Sequence, residues 1–152
     1  MPYLIDGHNL IGRFPGLSLT DPEDERKLLD LLERFANRTR RRMVVFFDRG
    51  VSPSAPLSRG PVEVRFIRPP RQADEALVDY LRRLPDPQNW TVVTSDRQLA
   101  RRAVARSARV LPSEQFSQHI VRALDSKSKS RLPHGDTPDL DEWIDLFGGE
   151  QN

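Results

Sequence analysis

The 152-residue chain contains no cysteine. That absence excludes disulfides, a thiolate nucleophile and cysteine-ligated zinc, and it fits a reducing, cytoplasmic setting. Histidine is nearly as scarce: His8, His119 and His134 are scattered without metal-ligand spacing, which argues against a histidine-rich zinc centre. No apolar run approaches the ~20 residues that cross a bilayer, and no basic segment followed by an apolar one opens the chain, so neither a membrane anchor nor an export signal is expected. Lysine is rare too. Only Lys27, Lys127 and Lys129 occur among 24 basic residues, so arginine supplies nearly all the positive charge of a chain whose net charge is +2. Arginine grips phosphate bidentately and stacks on bases. High-GC coding also favours it over lysine, so composition alone leaves both origins open.

What is present is an alternation of short apolar runs and amphipathic segments. Strands are expected at Tyr3 to Ile5, Met43 to Phe47, Val62 to Ile67, Trp90 to Thr94 and Arg109 to Leu111. The first, second and fourth are continuous hydrophobics, as in central parallel strands covered on both faces, whereas VEVRFI alternates and belongs nearer an edge. Helical spacing follows in TDPEDERKLLDLLERFANRT, with Thr20 or Asp21 as cap, and in ADEALVDYLRRL, SDRQLARRAVARS and SEQFSQHIVRAL. The expected fold is therefore α/β, a three-layer sandwich whose mainly parallel, Rossmann-like sheet carries helices on both faces. Residues 1–124 form this domain. Residues 125–137 read as a flexible basic linker, and 138–152 as a short C-terminal helix whose stripe of Leu140, Trp143, Ile144 and Phe147 docks on its own domain or on a partner.

Three of the central runs end on an acid: YLI on Asp6, VVFF on Asp48 and VVTS on Asp96. The C-terminal edge of an open parallel sheet is where such folds bind ligands, and Asp74 and Glu75 open a helix that starts from the same edge. Each acid alone has an ordinary role in a turn or a helix cap, and Gly7 after Asp6 reads as turn chemistry. Together they form a cluster. Carboxylates about 5 Å apart repel by ~3 kcal/mol per pair at an effective dielectric near 20, so a cation is the expected resident. An all-oxygen set favours Mg²⁺ or Mn²⁺, which binds through one or two carboxylates plus substrate phosphate.

In this order, IDGHN, FFD, ADE and VVTSD resemble the successive acidic motifs of the PIN-like nucleases, and more closely the NYN domains of the YacP-like branch, over about residues 1 to 124. The resemblance implies metal-dependent endonucleolytic cleavage of RNA (mRNA, tRNA or rRNA). It makes Asp6, Asp48, Asp74 and Asp96 the catalytic, metal-binding acids, with Glu75 as an extra ligand. Asn9 would orient Asp6 or contact phosphate, and Thr94 and Ser95 would line the floor. His8 stands where the family commonly has tyrosine; it could stack on a base, bond phosphate or simply pack. Arg13, Arg49, Arg68, Arg71 and Arg97 follow strands or lie in loops on the acidic edge, where they could hold phosphates. Arg38, Arg40, Arg41 and Arg42 precede the second strand and belong at the opposite end.

Two other readings compete. One is an RNA-binding or ribosome-associated adaptor with the same fold and little activity, suggested by the terminal LDEWIDLF helix on its basic tether. The other is a phosphoacceptor domain of the receiver type, which would want a lysine near the end of a late strand and finds none there. Both a monomer and a homodimer are compatible with the sequence.

Overall fold

Runs as continuous as YLI and MVVFF need cover on both faces, and the computed structural model, which describes residues 1–48 and 60–129, supplies it. Strands β1 (Tyr3–Asp6), β2 (Met43–Asp48), β3 (Val62–Ile67), β4 (Thr91–Val93) and β5 (Arg109–Leu111) form one parallel sheet in the order β3-β2-β1-β4-β5. The alternating run is at an edge, as its pattern requires, and the most continuous runs are central. Helices α1 (Gly7–Arg13), α2 (Asp24–Thr39) and α5 (Ser113–Lys129) cover one face, while α3 (Ala73–Arg82) and α4 (Arg97–Ala105) cover the other.

Successive strand residues divide between the two layers. Tyr3, Ile5, Met43, Val45 and Phe47 pack with Leu28, Leu32, Phe35 and Phe116, while Leu4, Val44 and Phe46 pack with Leu77, Leu81 and Leu99. Each fully buried side chain of this kind contributes about 1.5–3 kcal/mol, so both layers are needed to hold the sheet. His119 of α5 is wholly buried in this region. Burial, with a smaller contribution from the Arg122 charge, pulls its pKa down to about 4, so the ring is neutral at physiological pH.

Several boundaries differ from the sequence expectation. Helix α2 begins at Asp24, because Asp21 spends its carboxylate on the Glu23 N–H at 2.9 Å and its carbonyl on the Asp24 N–H, making a turn before the helix. Helix α5 continues to Lys129, into the segment read as a linker. The remainder of that linker, the C-terminal helix and Arg49 fall outside the described residues. Among the described residues no helix is long and apolar enough to cross a membrane.

The largest correction concerns Gly7. It is not a turn residue: β1 passes directly into α1, and Gly7 is the first residue of that helix. A Cβ there would collide with the Phe47 ring and stand 3.0 Å from the Phe46 carbonyl oxygen. Glycine is required by close packing of β2 against the β1–α1 junction. Gly7→Ala should therefore cost about 1–3 kcal/mol in urea unfolding, the usual range for overpacking, despite alanine's better helix propensity.

Candidate active site

With β1 in the middle of the sheet, its neighbours β2 and β4 run away to opposite sides, and the crevice of such a sheet opens at the C-terminal end of β1. Asp6 is the last residue of that strand. It occupies the N-cap position of α1, yet its side chain makes no capping hydrogen bond. Instead Asp6 Oδ2 accepts from the hydroxyl of Thr94, a buried residue just past β4, at 3.2 Å. That hydroxyl in turn accepts from the Asp96 N–H at 3.1 Å, so one buried oxygen ties the ends of β1 and β4 together.

The other three acids are anchored by backbone N–H groups. Asp48 Oδ1 accepts from Ala73 N at 2.6 Å, joining the end of β2 to the start of α3. Asp96 caps α4, with Oδ1 accepting from Gln98 N at 2.9 Å and Leu99 N at 3.4 Å. Asp74 Oδ1 accepts from Glu75 N at 2.8 Å, and its Oδ2 lies 4.0 Å from Arg102 Nη1. Each of the four carboxylates thus has one oxygen held by the fold. The second oxygen of Asp6, Asp48 and Asp96 makes no hydrogen bond among the described residues.

Their charges converge on Asp6. Burial is the main reason its pKa rises from 3.8 to about 6; the carboxylates of Asp48, Asp96 and Asp74 push it further up, and the Thr94 hydroxyl pulls back. Asp6 is therefore the point at which the acids from three strand ends and one helix start are felt together. The donor set is all oxygen, carries up to four negative charges and leaves oxygens free, which fits a hard divalent cation. Among the described residues, however, no three acidic or histidine side chains close into a compact ligand set. The arrangement suits an ion held through one or two carboxylates and its own waters, the usual habit of Mg²⁺.

The remaining residues divide clearly. Glu75 does not join the acids: its Oε1 accepts from Gln72 N at 3.0 Å in the capping box of α3. Asn9 spends Oδ1 on the Ser95 N–H at 2.9 Å and the Ser113 hydroxyl at 2.7 Å, pinning α1 to the starts of α4 and α5 rather than orienting Asp6. His8 packs, its ring 5.1 Å from that of Phe47, and its Nε2 lies 2.7 Å from Glu25 Oε2 on α2. Of the three roles open to it, the structure favours support.

Ser95 bonds Glu114 and accepts from Ser113 N at 2.9 Å. Glu114 also takes Arg13 at 2.9 Å, and the Ser95 hydroxyl chiefly holds its pKa below the ordinary carboxylate value. Sequence reasoning missed Glu114, although it too follows a strand end by three residues. Arg71 pairs with Asp79. Arg68 and Arg97 are exposed and make no ion pair among the described residues. Arg42 lies at the opposite end, where its carbonyl receives the Tyr3 N–H, and Arg41 there reaches the Met1 carbonyl at 3.5 Å.

The chain matches known proteins over nearly its whole length. Residues 3–142 match the sequence model of the YacP-like NYN domain family. The crystal structure of Rae1 (YacP) from Bacillus subtilis superposes with a TM-score of 0.64 at 24% identity, covering 97% of this chain and 92% of that one. A tryptophan-to-leucine variant of the same Bacillus protein gives 0.68 at 21% identity, covering 99% and 98%. No protein with a curated description matches the chain. At these identities the structural likeness speaks for the fold.

The raised pKa of Asp6 predicts a pH signature. Asp6 binds its proton more tightly when folded, so its contribution to stability is full below pH 3.8 and lost as the pH rises through about 6. In metal-free buffer Asp6→Asn should match the wild type near pH 3.5 and exceed its unfolding free energy by roughly 2–3 kcal/mol at pH 7.5. His119 acts in the opposite direction: its neutral burial favours folding above pH 6.5, and that advantage fades as pH falls towards 4. The difference between variant and wild type cancels the histidine and isolates Asp6. Equal stability of the two proteins at pH 7.5 would show that Asp6 carries no strain.

Proposed function

The chain belongs to the YacP-like NYN domain family, and on that premise we propose that it is a Mg²⁺- or Mn²⁺-dependent endoribonuclease that hydrolyses RNA phosphodiesters at the Asp6 crevice. The observation that carries this reading is the state of Asp6, a mostly buried carboxylate pushed up to about 6 and surrounded by three more acids, of which Asp48 and Asp96 each keep a second oxygen without a hydrogen bond among the described residues. A fold that needed these acids only as caps would have no reason to gather their charges on an unused one. A structural role is satisfied by one oxygen each of Asp6, Asp48 and Asp96; among the described residues the other is left for a ligand.

Asp6, Asp48, Asp74 and Asp96 would hold the ion. When bound, the ion supplies Lewis acidity at a phosphoryl oxygen and eases deprotonation of the attacking water. The chain's own residues do the positioning. Thr94 fixes the orientation of Asp6 through a donated hydrogen bond, and backbone N–H groups at the starts of α3 and α4 fix Asp48 and Asp96. Arg68 and Arg97, exposed on loops and helix starts of the same edge, would take the flanking phosphates. Asn9, Ser95 and Glu114 brace the β4–α4 connection, and so set where Thr94 and Asp96 stand. The substrate class is RNA. The protein would act where RNA is found, and the ribosome is one such place.

Two measurements test this. Purified wild type should cut RNA only with Mg²⁺ or Mn²⁺ present, and Asp6→Asn and Asp96→Asn variants that keep wild-type circular dichroism should lose at least 100-fold in rate, the scale of a lost electrostatic contribution. Independently of activity, millimolar Mn²⁺ should raise the melting temperature of the wild type and leave that of Asp6→Asn unmoved. RNA bound but uncut, together with no response to Mn²⁺, would instead favour the adaptor.

A further inference from the structure

Beyond the acids, α3 and the edge strand β3 enclose a groove of about 250 Å³ lined by Phe46, Arg65, Ile67, Arg71, Asp79, Tyr80 and Arg83. We propose that this groove is a nucleotide subsite, in which one base of the RNA strand stacks on the Arg65 guanidinium while Arg83 takes its phosphate. The proposal rests on the reading of the protein as an RNA-cleaving enzyme and adds where the strand runs next to the cut.

The chemistry of the groove is that of single-stranded RNA recognition, which uses aromatic rings and arginine planes as stacking surfaces. The Arg65 guanidinium carbon stands 4.9 Å from the Tyr80 ring centroid. Tyr80 is held edge-on by Phe46 at 5.8 Å and by Trp90 at 5.9 Å, so the platform beneath Arg65 is rigid. Glu63 accepts from Arg65 Nε at 2.6 Å and keeps the guanidinium in place over the ring, while the side chain remains about half exposed. A base added on its open side extends the stack. The volume lies just below the ~300–1,000 Å³ of pockets that enclose drug-sized ligands, which suits one planar ring with its phosphate at the rim.

The charge of the groove is complementary to a phosphate. Its lining carries Arg65, Arg71 and Arg83 and one acid, Asp79; Asp79 is shared between Arg71 and Arg82, and Arg65 is paired with Glu63. Arg83 is exposed and makes no ion pair among the described residues. The groove also adjoins the acids directly. Ile67 pairs in register with Asp48, and Arg71 lies in the turn whose next residues include Ala73, the N–H donor to Asp48, and then Asp74. A strand with its scissile phosphate at Asp6 therefore meets this groove as it leaves along the β2–β3 side. Of its arginines, Arg71 lies beside the acids in sequence; Arg65 and Arg83 reach the groove through strand and helix packing.

Binding of a labelled single-stranded RNA oligonucleotide to the full chain in EDTA, where cleavage is excluded, tests this by fluorescence anisotropy. Arg65→Gln and Arg83→Gln, both surface changes, should each weaken binding at least fivefold, and Arg83→Gln should lower the salt dependence by about one phosphate contact. The same loss of charge in Arg34→Gln, on α2 across the sheet, should change affinity less than twofold. In a Trp143→Phe background the fluorescence of Trp90 should respond to RNA, because Tyr80 lies against it. Wild-type affinity in both groove variants, or equal losses in all three arginine variants, would overturn the subsite. So would a nucleoside monophosphate that binds as tightly as the oligonucleotide. Because no step needs metal or turnover, groove binding by a protein that never cuts would sink the nuclease reading and leave this one standing; cutting with no effect of the groove variants would do the reverse.

Discussion

A carboxylate buried at the end of the central strand is the constraint around which this molecule is arranged. Asp6 has lost most of its water, receives one hydroxyl hydrogen bond from Thr94 and feels three further negative charges. Desolvation and like-charge repulsion both favour its protonated form, and only the Thr94 bond opposes them. The fold accepts that cost because Asp6 is flanked on both sides by strands packed into two apolar layers, and those layers offset it many times over. Such strain in a crevice, produced by specific partners, is what makes Asp6 the candidate functional residue.

The acids proposed as ligands also hold the fold together. Asp48 and Asp96 hold the starts of α3 and α4, and Thr94 joins β1 to β4, so the residues that would grip an ion also fix the spacing of the elements that carry them. Rigid helix starts position side chains better than free loops do. Gly7 belongs to this economy too. Its missing side chain lets Phe47 of β2 sit against the β1–α1 junction, which brings the end of β2, and Asp48 with it, alongside Asp6.

The arginines nearest this acidic centre differ in how they are paired. Arg13 is tied to Glu114 and Arg71 to Asp79, which leaves exposed arginines such as Arg68 and Arg97 along the edge that carries the acids. A site for a polyanion must attract phosphate without neutralising the acids that act on it. In the proposed enzyme, carboxylates such as Glu114 and Asp79 would achieve that by pairing with the nearest arginines and leaving others available.

The sequence by itself determined the strands, their burial and the family. Two-sided burial imposes a continuous apolar run, and a half-exposed edge imposes alternation, so YLI, MVVFF and VEVRFI carry their sheet positions in their composition. The acids at the strand ends were legible for the same reason, since strand polarity alone sends Asp6, Asp48 and Asp96 to one edge. What it left open depended on partners distant along the chain. Gly7 looked like a turn residue until Phe47 was seen against it, and His8 had three possible roles until Glu25 and Phe47 took it up. Glu75 could not be separated from Asp74 by spacing, because only the tertiary structure commits Glu75 to the capping box of α3 and brings the charge of Asp74 to bear on Asp6. The Arg65–Tyr80 platform was equally hidden, since it joins a strand to a helix through packing. Local periodicity records which face an element buries; the choice of neighbour belongs to the tertiary structure, because it is made between residues that no sequence window contains together.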